Sequence, residues 1–317
     1  MTNIPVGGIK EIIQILPPKG SHYPYRQKAL KEAIKNHPEM PALPFLLHIV
    51  TAQESAFQQL AHADSAPKEK ISQEATPPFI AITNSTLSQF QLALQMICQK
   101  LTALLESEIK AEINKEIDEK THGRADEKGH PYHNILMIIA SLNTRSQDQE
   151  AIKQILQQLL TLTLDKIPAE EHIFLLAALQ TTLHHAATQL EIDKNYQLKE
   201  RDLCPCCKMP AISSVLDNSE DGLRYLYCSF CETKWHVVRG QCTECLSNKS
   251  LYQQRIEGDK SPIYAEVCDE CHTYLKVTDR TKTLLADPFI EDLLTLPLSI
   301  RLTEENYKTF GVNPYLL

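Results

Sequence analysis

The motif Cys204-Pro-Cys-Cys207 opens a stretch, ending at Cys271, that decides the fold of this chain. The stretch contains four Cys-x-x-Cys pairs: Cys204/Cys207, Cys228/Cys231, Cys242/Cys245 and Cys268/Cys271. Such a turn holds two thiolates close enough to bind one metal ion, and two turns complete a tetrahedral four-sulfur site. The gaps 208–227 and 246–267 are near the spacing of a four-cysteine ribbon. The sequence therefore predicts two metal-binding ribbons in tandem.

The two ribbons are related by an internal repeat. Cys231 is followed by Glu-Thr-Lys-Trp-His-Val, and Cys271 is followed by His-Thr-Tyr-Leu-Lys-Val. The repeat favours consecutive pairing of the turns. One ion would then be held by Cys204, Cys207, Cys228 and Cys231, and a second by Cys242, Cys245, Cys268 and Cys271. A crossed arrangement, in which the first turn pairs with the third and the second with the fourth, remains open.

Trp235, the only tryptophan of the chain, is predicted to lie on the strand that follows the second turn. It alternates with Thr233 and Val237, and residues two apart on a strand point to one face. We therefore expect its side chain to be buried, either at the base of the first ribbon or against the helical part of the chain.

The eight paired cysteines are predicted to stabilise the fold rather than to catalyse a reaction. Small ribbons bury little apolar surface and need a metal ion to fold, and four sulfur ligands leave no open coordination position. Disulfides are not favoured, because residues 1–20 do not look like a secretion signal and such spacing in a cytosolic chain indicates metal. A thioredoxin-type dithiol is not favoured either, because the flanking sequence does not suggest a βαβ unit.

The other cysteines and the nearby histidines are assigned other roles. Cys206 could compete with Cys207, but the regular spacing of the pairs favours Cys207 as the ligand. Cys98 is expected to be a small buried hydrophobic residue of its helix. A packing or surface role is expected for the histidines near the metal sites or on the last long helix, with an alternative ligand role left open. These are His184, His185 and His236.

The charge of the chain argues against a general nucleic-acid-binding protein. The formal net charge is −8, whereas nucleic-acid binding needs concentrated positive charge. Between Cys204 and Cys271 the basic residues are matched by acidic ones, so no basic stripe emerges. No apolar run approaches the roughly 20 residues that span a bilayer. We therefore expect a cytoplasmic protein without membrane insertion, and nucleic acid is not an expected partner.

Residues before 200 show helical rather than strand periodicity. Helices are predicted at residues 25–38, 43–60, 90–117, 133–142, 147–164 and 169–196. Residues 1–20 are predicted to be a short arm or first helix, and loops are predicted at 63–78 and 118–131, the second of them mobile. One short helix, 287–296, and a compact tail that docks onto the body are expected after the second ribbon.

The predicted fold class is α+β. At 317 residues the chain is expected to hold two or three domains. The predicted divisions are an all-α helical domain at 1–198, a first four-cysteine module at 199–240, and a second module at 241–317 that includes the last helix and the tail. Both modules are predicted to be of the rubredoxin-like or zinc-ribbon type.

The first ribbon also carries a family signature. The run Arg224-Tyr-Leu-x-Cys228-x-x-Cys231-Glu-Thr-x-Trp235-His236-x-x-Arg239-x-x-Cys242-x-x-Cys245 resembles the central part of the formate dehydrogenase accessory proteins, the FdhE family. The second ribbon, with Ala265-Glu266-x-Cys268-x-x-Cys271-x-x-Tyr274-Leu275-Lys276, is similar to theirs. Further similarities are Asp292-Leu293, Thr295-Leu296, Asn313-Pro314, Ala177-Ala178-Leu179-Gln180 and the region 26–53.

This resemblance implies a cytoplasmic assembly factor, or chaperone, rather than an enzyme. Proteins of the family are needed for active respiratory formate dehydrogenase and bind its catalytic subunit, and their ribbons are described as rubredoxin-like and able to hold iron. Two ions of iron or zinc per chain are therefore expected, and a homodimer stays open. The alternative function is a zinc ribbon that binds nucleic acid or acts as a general protein-interaction module.

The sequence departs from the family at one kind of position. Family sequences often have Gly directly after the second cysteine of a turn, where a left-handed backbone suits the turn. This chain has other residues there: Lys208, Glu232, Leu246 and His272. Such residues can adopt that backbone at modest cost, so metal binding is still expected and the choice between metals is left open.

Overall fold

The structure, a computed structural model, describes residues 12–63, 67–119, 130–216, 222–258, 261–283 and 285–316. Its first part is a bundle of helices: α1 (Tyr23–Asn36), α2 (Ala42–Ala63), α3 (Asn84–Glu119), α4 (Tyr132–Arg145), α5 (Gln149–Leu160) and α6 (His172–Thr188). Helix α6 packs against α2, α3 and α5, and it is buried almost all round. A helix without a solvent face belongs in the middle of a domain, so α6 is the central helix of the bundle.

The predicted helices of this part are confirmed, but α5 and α6 end earlier than predicted, α5 at Leu160 and α6 at Thr188. Helix α6 stops at Thr188 because Leu190–Ile192 forms strand β3, which runs parallel to strand β2 (Glu69–Ile71). Strand β2 lies inside the predicted loop 63–78. Strand β2 has only 3 residues, of which Ile71 alone is buried. It is therefore too short to show the alternation that identifies strands in a sequence.

The amino-terminal arm also contains a strand. Ile15–Leu16 forms strand β1, so a helix over these two residues is wrong. Residues 1–11 lie outside the described residues. So do residues 120–129, which make up most of the predicted mobile loop 118–131. Among the helices that are described, none combines the length and the apolar character needed to cross a bilayer.

The second part of the chain is built on one eight-stranded sheet. Besides β1 it contains β4 (Ala211–Leu216), β5 (Arg224–Cys228), β6 (Lys234–His236), β7 (Leu251–Gln254), β8 (Ile263–Cys268), β9 (Thr273–Asp279) and β10 (Lys308–Thr309). Strands β4, β5 and β6 form one antiparallel unit, and β7, β8 and β9 form another. The internal repeat of the sequence is therefore a repeated three-stranded unit.

The two units share one sheet because β4 pairs in parallel with β9, with Ser214 opposite Val277. Strand β1 extends the first unit by pairing with β6, with Ile15 opposite Trp235. The predicted α+β fold, a helical region followed by two four-cysteine modules, is confirmed. The division at residues 198 and 240 stays a prediction.

Two helices lie near the carboxyl end of the chain where the sequence predicts one. Helix α7 (Pro288–Leu294) begins after Asp287, whose carboxylate accepts hydrogen bonds from the N–H groups of Phe289 and Ile290. Helix α8 (Leu296–Glu304) follows with Pro297 in its first turn. Proline fits the first turn of a helix, where an N–H would have no partner. The predicted helix 287–296 is confirmed as α7, and the second helix, which has Pro297 in its first turn, was not predicted.

The apolar core of the helical bundle continues into the first three-stranded unit. Trp235 of β6 is fully buried, and its indole N–H donates a hydrogen bond to the carbonyl oxygen of Arg201 at 2.9 Å. The predicted burial of Trp235 is confirmed. The tail also docks as predicted, since the buried Tyr315 hydroxyl lies 2.7 Å from Gln53 Oε1 and 3.0 Å from Gln180 Oε1.

Candidate metal centres

The eight paired cysteines gather into two clusters, grouped as the consecutive pairing requires. One contains Cys204, Cys207, Cys228 and Cys231, and the other contains Cys242, Cys245, Cys268 and Cys271. Within each cluster the four sulfur atoms lie within 4.8 Å of one another. The crossed arrangement does not occur. The role of these eight residues as metal ligands stays a prediction, and the geometry of each cluster bears on it.

The four turns share one backbone conformation. In each, the residue after the second cysteine has a positive φ: 61° at Lys208, 60° at Glu232, 60° at Leu246 and 52° at His272. In the two turns that open the clusters, the N–H of this residue donates to the carbonyl of the first cysteine, at 2.9 Å for Lys208 to Cys204 and 3.1 Å for Leu246 to Cys242. The left-handed residue thus closes the turn without glycine, at the modest cost that such a backbone carries.

The size of each cluster fits a metal ion. Bonds of about 2.3 Å from a central ion to four tetrahedral sulfurs place the sulfurs roughly 3.8 Å apart. Sulfur–sulfur separations of 3.4 Å join Cys204 to Cys231 and Cys207 to Cys228 in the first cluster. In the second cluster they are 3.7 Å for Cys242–Cys271 and 3.6 Å for Cys245–Cys268. The two clusters could therefore hold two ions, and iron and zinc both accept this donor set.

Neither cluster is a pair of disulfides. A disulfide bond is about 2.05 Å long, and all ten cysteines are free. Burial raises the pKa of Cys204, Cys207 and Cys228, so these thiols keep their protons unless a cation takes their place. Binding of a metal ion would release those protons.

The two clusters differ in their exposure to solvent. In the first, Cys204, Cys228 and Cys231 are buried, and the backbone around them is tied to the helical part. The N–H of Ile80 donates to the carbonyl of Cys206 at 2.8 Å, and Gln180 of α6 donates to the carbonyl of Ser229 at 3.0 Å. In the second, Cys245 is exposed and Cys271 is half-buried. The first cluster is part of the common core, whereas the second has two buried cysteines, Cys242 and Cys268, and reaches solvent through the other two.

The other cysteines and two of the histidines fall where the sequence places them. Cys206 is buried but belongs to neither cluster, and Cys98 is buried in α3 as predicted. His236 is half-buried on β6 and His185 is buried in α6, and neither joins a cluster among the described residues. His184 is different, because it lies with His22 and Glu232 in a third group of metal-ligating side chains.

Sequence reasoning missed a buried polar network beside the first cluster. Its centre is Glu232, which directly follows Cys231 and is fully buried. Arg26 Nη1 donates to Glu232 Oε1 at 3.0 Å, and Tyr227 donates to Glu232 Oε2 at 2.8 Å. Arg26 Nε donates on its other side to Asp287 at 3.1 Å. The only signal in the sequence was a charged residue at a position that favours glycine.

The chain matches two sequence families over its second part. The family described as "FdhE, central domain" matches residues 203–239, and the family described as "FdhE, C-terminal domain" matches residues 240–316. Each matched range contains one complete cysteine cluster.

Individual relatives extend the similarity into the helical part. A "Protein FdhE homolog" of Actinobacillus pleuropneumoniae serotype 3 is 31% identical over 229 residues, which are 69% of this chain and 74% of the relative. A homologue from Haemophilus ducreyi is 28% identical over 93% of this chain and 88% of its own. The crystal structure of the FdhE protein from Pseudomonas aeruginosa superposes with a TM-score of 0.65 at 23% identity, covering 95% of this chain and 98% of that one. This last similarity shows a shared fold.

Proposed function

We propose that this chain, which belongs to the FdhE family, is an accessory factor for respiratory formate dehydrogenase. In this proposal it binds the catalytic subunit in the cytoplasm, before that subunit leaves it, and catalyses no reaction itself. The observation that supports the proposal is that each of the two matched family domains contains one complete four-cysteine cluster. A turn that is held by a metal ion is already ordered, so it loses little conformational entropy when its side chains bind a partner.

The proposed client surface lies at the junction of the two modules. Val238 and Leu246 are large apolar residues with exposed fractions of 57% and 61%. Hydrogen bonds order the backbone that carries them, because Arg224 donates to the carbonyls of Val238 at 3.5 Å and Gln241 at 3.2 Å, and the Gln241 amide donates to the carbonyl of Leu246 at 2.8 Å. Exposed apolar patches mark protein-interaction surfaces, and in this proposal these two side chains contribute to one.

Deletion of this protein in its source organism tests the accessory role. Respiratory formate oxidation should be lost, while transcription and synthesis of the catalytic subunit continue. A pull-down with that subunit as bait should recover this protein. Normal formate oxidation in a deletion strain that makes the enzyme would contradict the proposal, and salt-dependent retention of the protein on DNA would then support the nucleic-acid alternative.

Two variants test the surface. Val238→Glu should abolish recovery by the catalytic subunit, because it places a charge in the apolar contact. Met137→Glu is the matched control, since Met137 on α4 is 63% exposed and remote in sequence from both modules. Equal recovery of the two variants would place the client surface elsewhere. A homodimer stays a prediction that size determination of the purified protein would check.

A further inference from the structure

We propose that His22, His184 and Glu232 form a third cation site, with two nitrogen ligands and one carboxylate, that takes a divalent transition-metal ion such as Zn²⁺. The site is separate from the two cysteine clusters and does not depend on the proposed function. The three residues come from the start of α1, from α6 and from the turn after Cys231. Their ligand atoms lie within 4.8 Å of one another.

The first argument concerns the protons of His184. Its Nε2 lies 3.1 Å from the carbonyl oxygen of Gly20. Because a carbonyl oxygen only accepts, Nε2 carries a hydrogen, and in the neutral ring Nδ1 then has a free lone pair. This Nδ1 is fully buried and has no hydrogen-bond partner. It lies 3.4 Å from Glu232 Oε1. Two buried acceptor atoms, His184 Nδ1 and Glu232 Oε1, thus face each other. This arrangement is costly unless a proton or a metal cation lies between them.

The second argument concerns the charge of the surroundings. Arg26 forms ion pairs with both Glu232 and Asp287, so these three side chains together carry a formal charge of −1, and Arg280 approaches the network through the ring of Tyr227, 5.7 Å from its guanidinium. All three side chains are buried, and an uncompensated buried charge is costly. A divalent cation on Glu232 would offset this negative charge and leave the group, with the ion, at +1. Burial lowers the pKa of His184 to about 4, which keeps its ring neutral and suited to bind a metal ion.

The third argument concerns the hydrogen bonds that orient the ligating side chains. Metal-binding histidines usually donate their second ring N–H to a carbonyl or carboxylate, and ligating carboxylates are themselves hydrogen-bonded. His184 donates its Nε2–H to the carbonyl of Gly20. The Glu232 carboxylate accepts a hydrogen bond from Tyr227 at Oε2 and one from Arg26 at Oε1.

An ion can reach this site from solvent. The side chain of His22 is 36% exposed, and its Nδ1 lies 2.7 Å from Glu232 Oε2. Without an ion these two atoms are joined by a hydrogen bond, and ligation through Nδ1 would break it and leave the proton of the neutral ring on Nε2. Two histidines and a carboxylate suit zinc and ferrous iron, with further coordination positions left for water or a partner group.

Zinc titration of the full chain tests the proposal. After equilibrium dialysis against excess Zn²⁺, the wild-type protein should hold about three ions, two on thiolates and one on this site. His22→Gln and His184→Gln should each hold about two, with both thiolate sites retained in a cysteine-accessibility assay. His236→Gln is the control and should hold three. With Co²⁺, the third equivalent should add absorption without a thiolate charge-transfer band, and His22→Gln should lose that component.

Two results would overturn the proposal. One is a wild-type protein that binds only two Zn²⁺ ions in excess metal, in which case a protonated histidine supplies the missing charge. The other is a His22→Gln protein that keeps the third ion. If His184→Gln does not fold, because its side chain is buried, His22→Gln decides alone, since His22 is partly exposed.

Discussion

The guanidinium of Arg26 and the carboxylate of Glu232 lie 3.0 Å apart, from Nη1 to Oε1, and both side chains are fully buried. Arg26 belongs to α1, and Glu232 directly follows the last cysteine of the first cluster. Asp287, at the start of α7, binds the same guanidinium from its other side. Three segments that are distant in the sequence therefore meet at one buried cation, so the helical bundle and the first metal turn are joined by charge as well as by apolar packing.

Replacing Arg26 with methionine should destabilise the protein strongly. Removal of one partner from a buried ion pair leaves an uncompensated charge and typically costs about 3–5 kcal/mol. The free energy of unfolding in urea measures the effect. Arg301→Met is the matched control, because Arg301 is 70% exposed and pairs with Glu305 on the surface of α8, where such pairs contribute about 0–1 kcal/mol. Similar losses in the two variants would show that the Arg26 network contributes little.

Replacing Cys228 with serine should release about one metal ion, because a four-thiolate site needs all of its ligands. Cys268→Ser should release one ion from the other cluster. Metal analysis of purified protein measures both. Since the first cluster lies within the common core, Cys228→Ser should lower the free energy of unfolding more than Cys268→Ser. A Cys228→Ser protein that keeps both ions, or loses both, would contradict the two-cluster arrangement.

The two sites should also differ in how fast they lose metal. Cys245 is exposed and Cys271 is half-buried, whereas three cysteines of the first cluster are buried. A chelator should therefore remove one ion rapidly and the other slowly. With iodoacetamide present, mass spectrometry should find Cys245 alkylated first and Cys98 last. Loss of both ions at one rate would mean that the first cluster opens as readily as the second.

The cysteine clusters could be predicted because the sequence features that specify them are local. A Cys-x-x-Cys turn is specified by four consecutive residues, and the repeat after Cys231 and Cys271 indicates which turns belong together. The burial of Trp235 followed in the same way from its alternation with Thr233 and Val237. The parallel pairing of β4 with β9 could not be predicted, because neither strand contains a local sequence feature that identifies its partner.

The polar network around Glu232 was not predictable for a related reason. Glu232, His22, Arg26 and Asp287 are spread over most of the chain, and each alone resembles an ordinary surface residue. In the sequence, Glu232 is only a tolerated departure from glycine. The structure shows a carboxylate that is placed by that turn against Arg26. Burial of charge becomes visible only when the elements are assembled.

Replacing Trp235 with alanine should unfold the first module. Loss of a large buried aromatic side chain typically costs about 3–5 kcal/mol, and here the indole N–H bond to Arg201 is lost as well. Thermal denaturation and metal content measure the effect. Tyr252→Ala is the control, because Tyr252 is 37% exposed. A Trp235→Ala protein with unchanged melting temperature and metal content would show that this residue does not support the module.

Replacing Gly311 with alanine should release the carboxyl-terminal tail. A Cβ atom at Gly311 would lie 2.5 Å from the carbonyl oxygen of Ile212 on β4, and backbone cannot yield as a flexible side chain can. Overpacking of this kind typically costs about 1–3 kcal/mol, and Tyr315 would lose its place against Gln53 and Gln180. Faster hydrogen exchange of residues 308–316 and a lower melting temperature should follow. Gly20→Ala is the control, since a Cβ there meets nothing within 4 Å. If the two alanine variants exchange and melt alike, the tail tolerates the added methyl group and the close contact with Ile212 does not hold it.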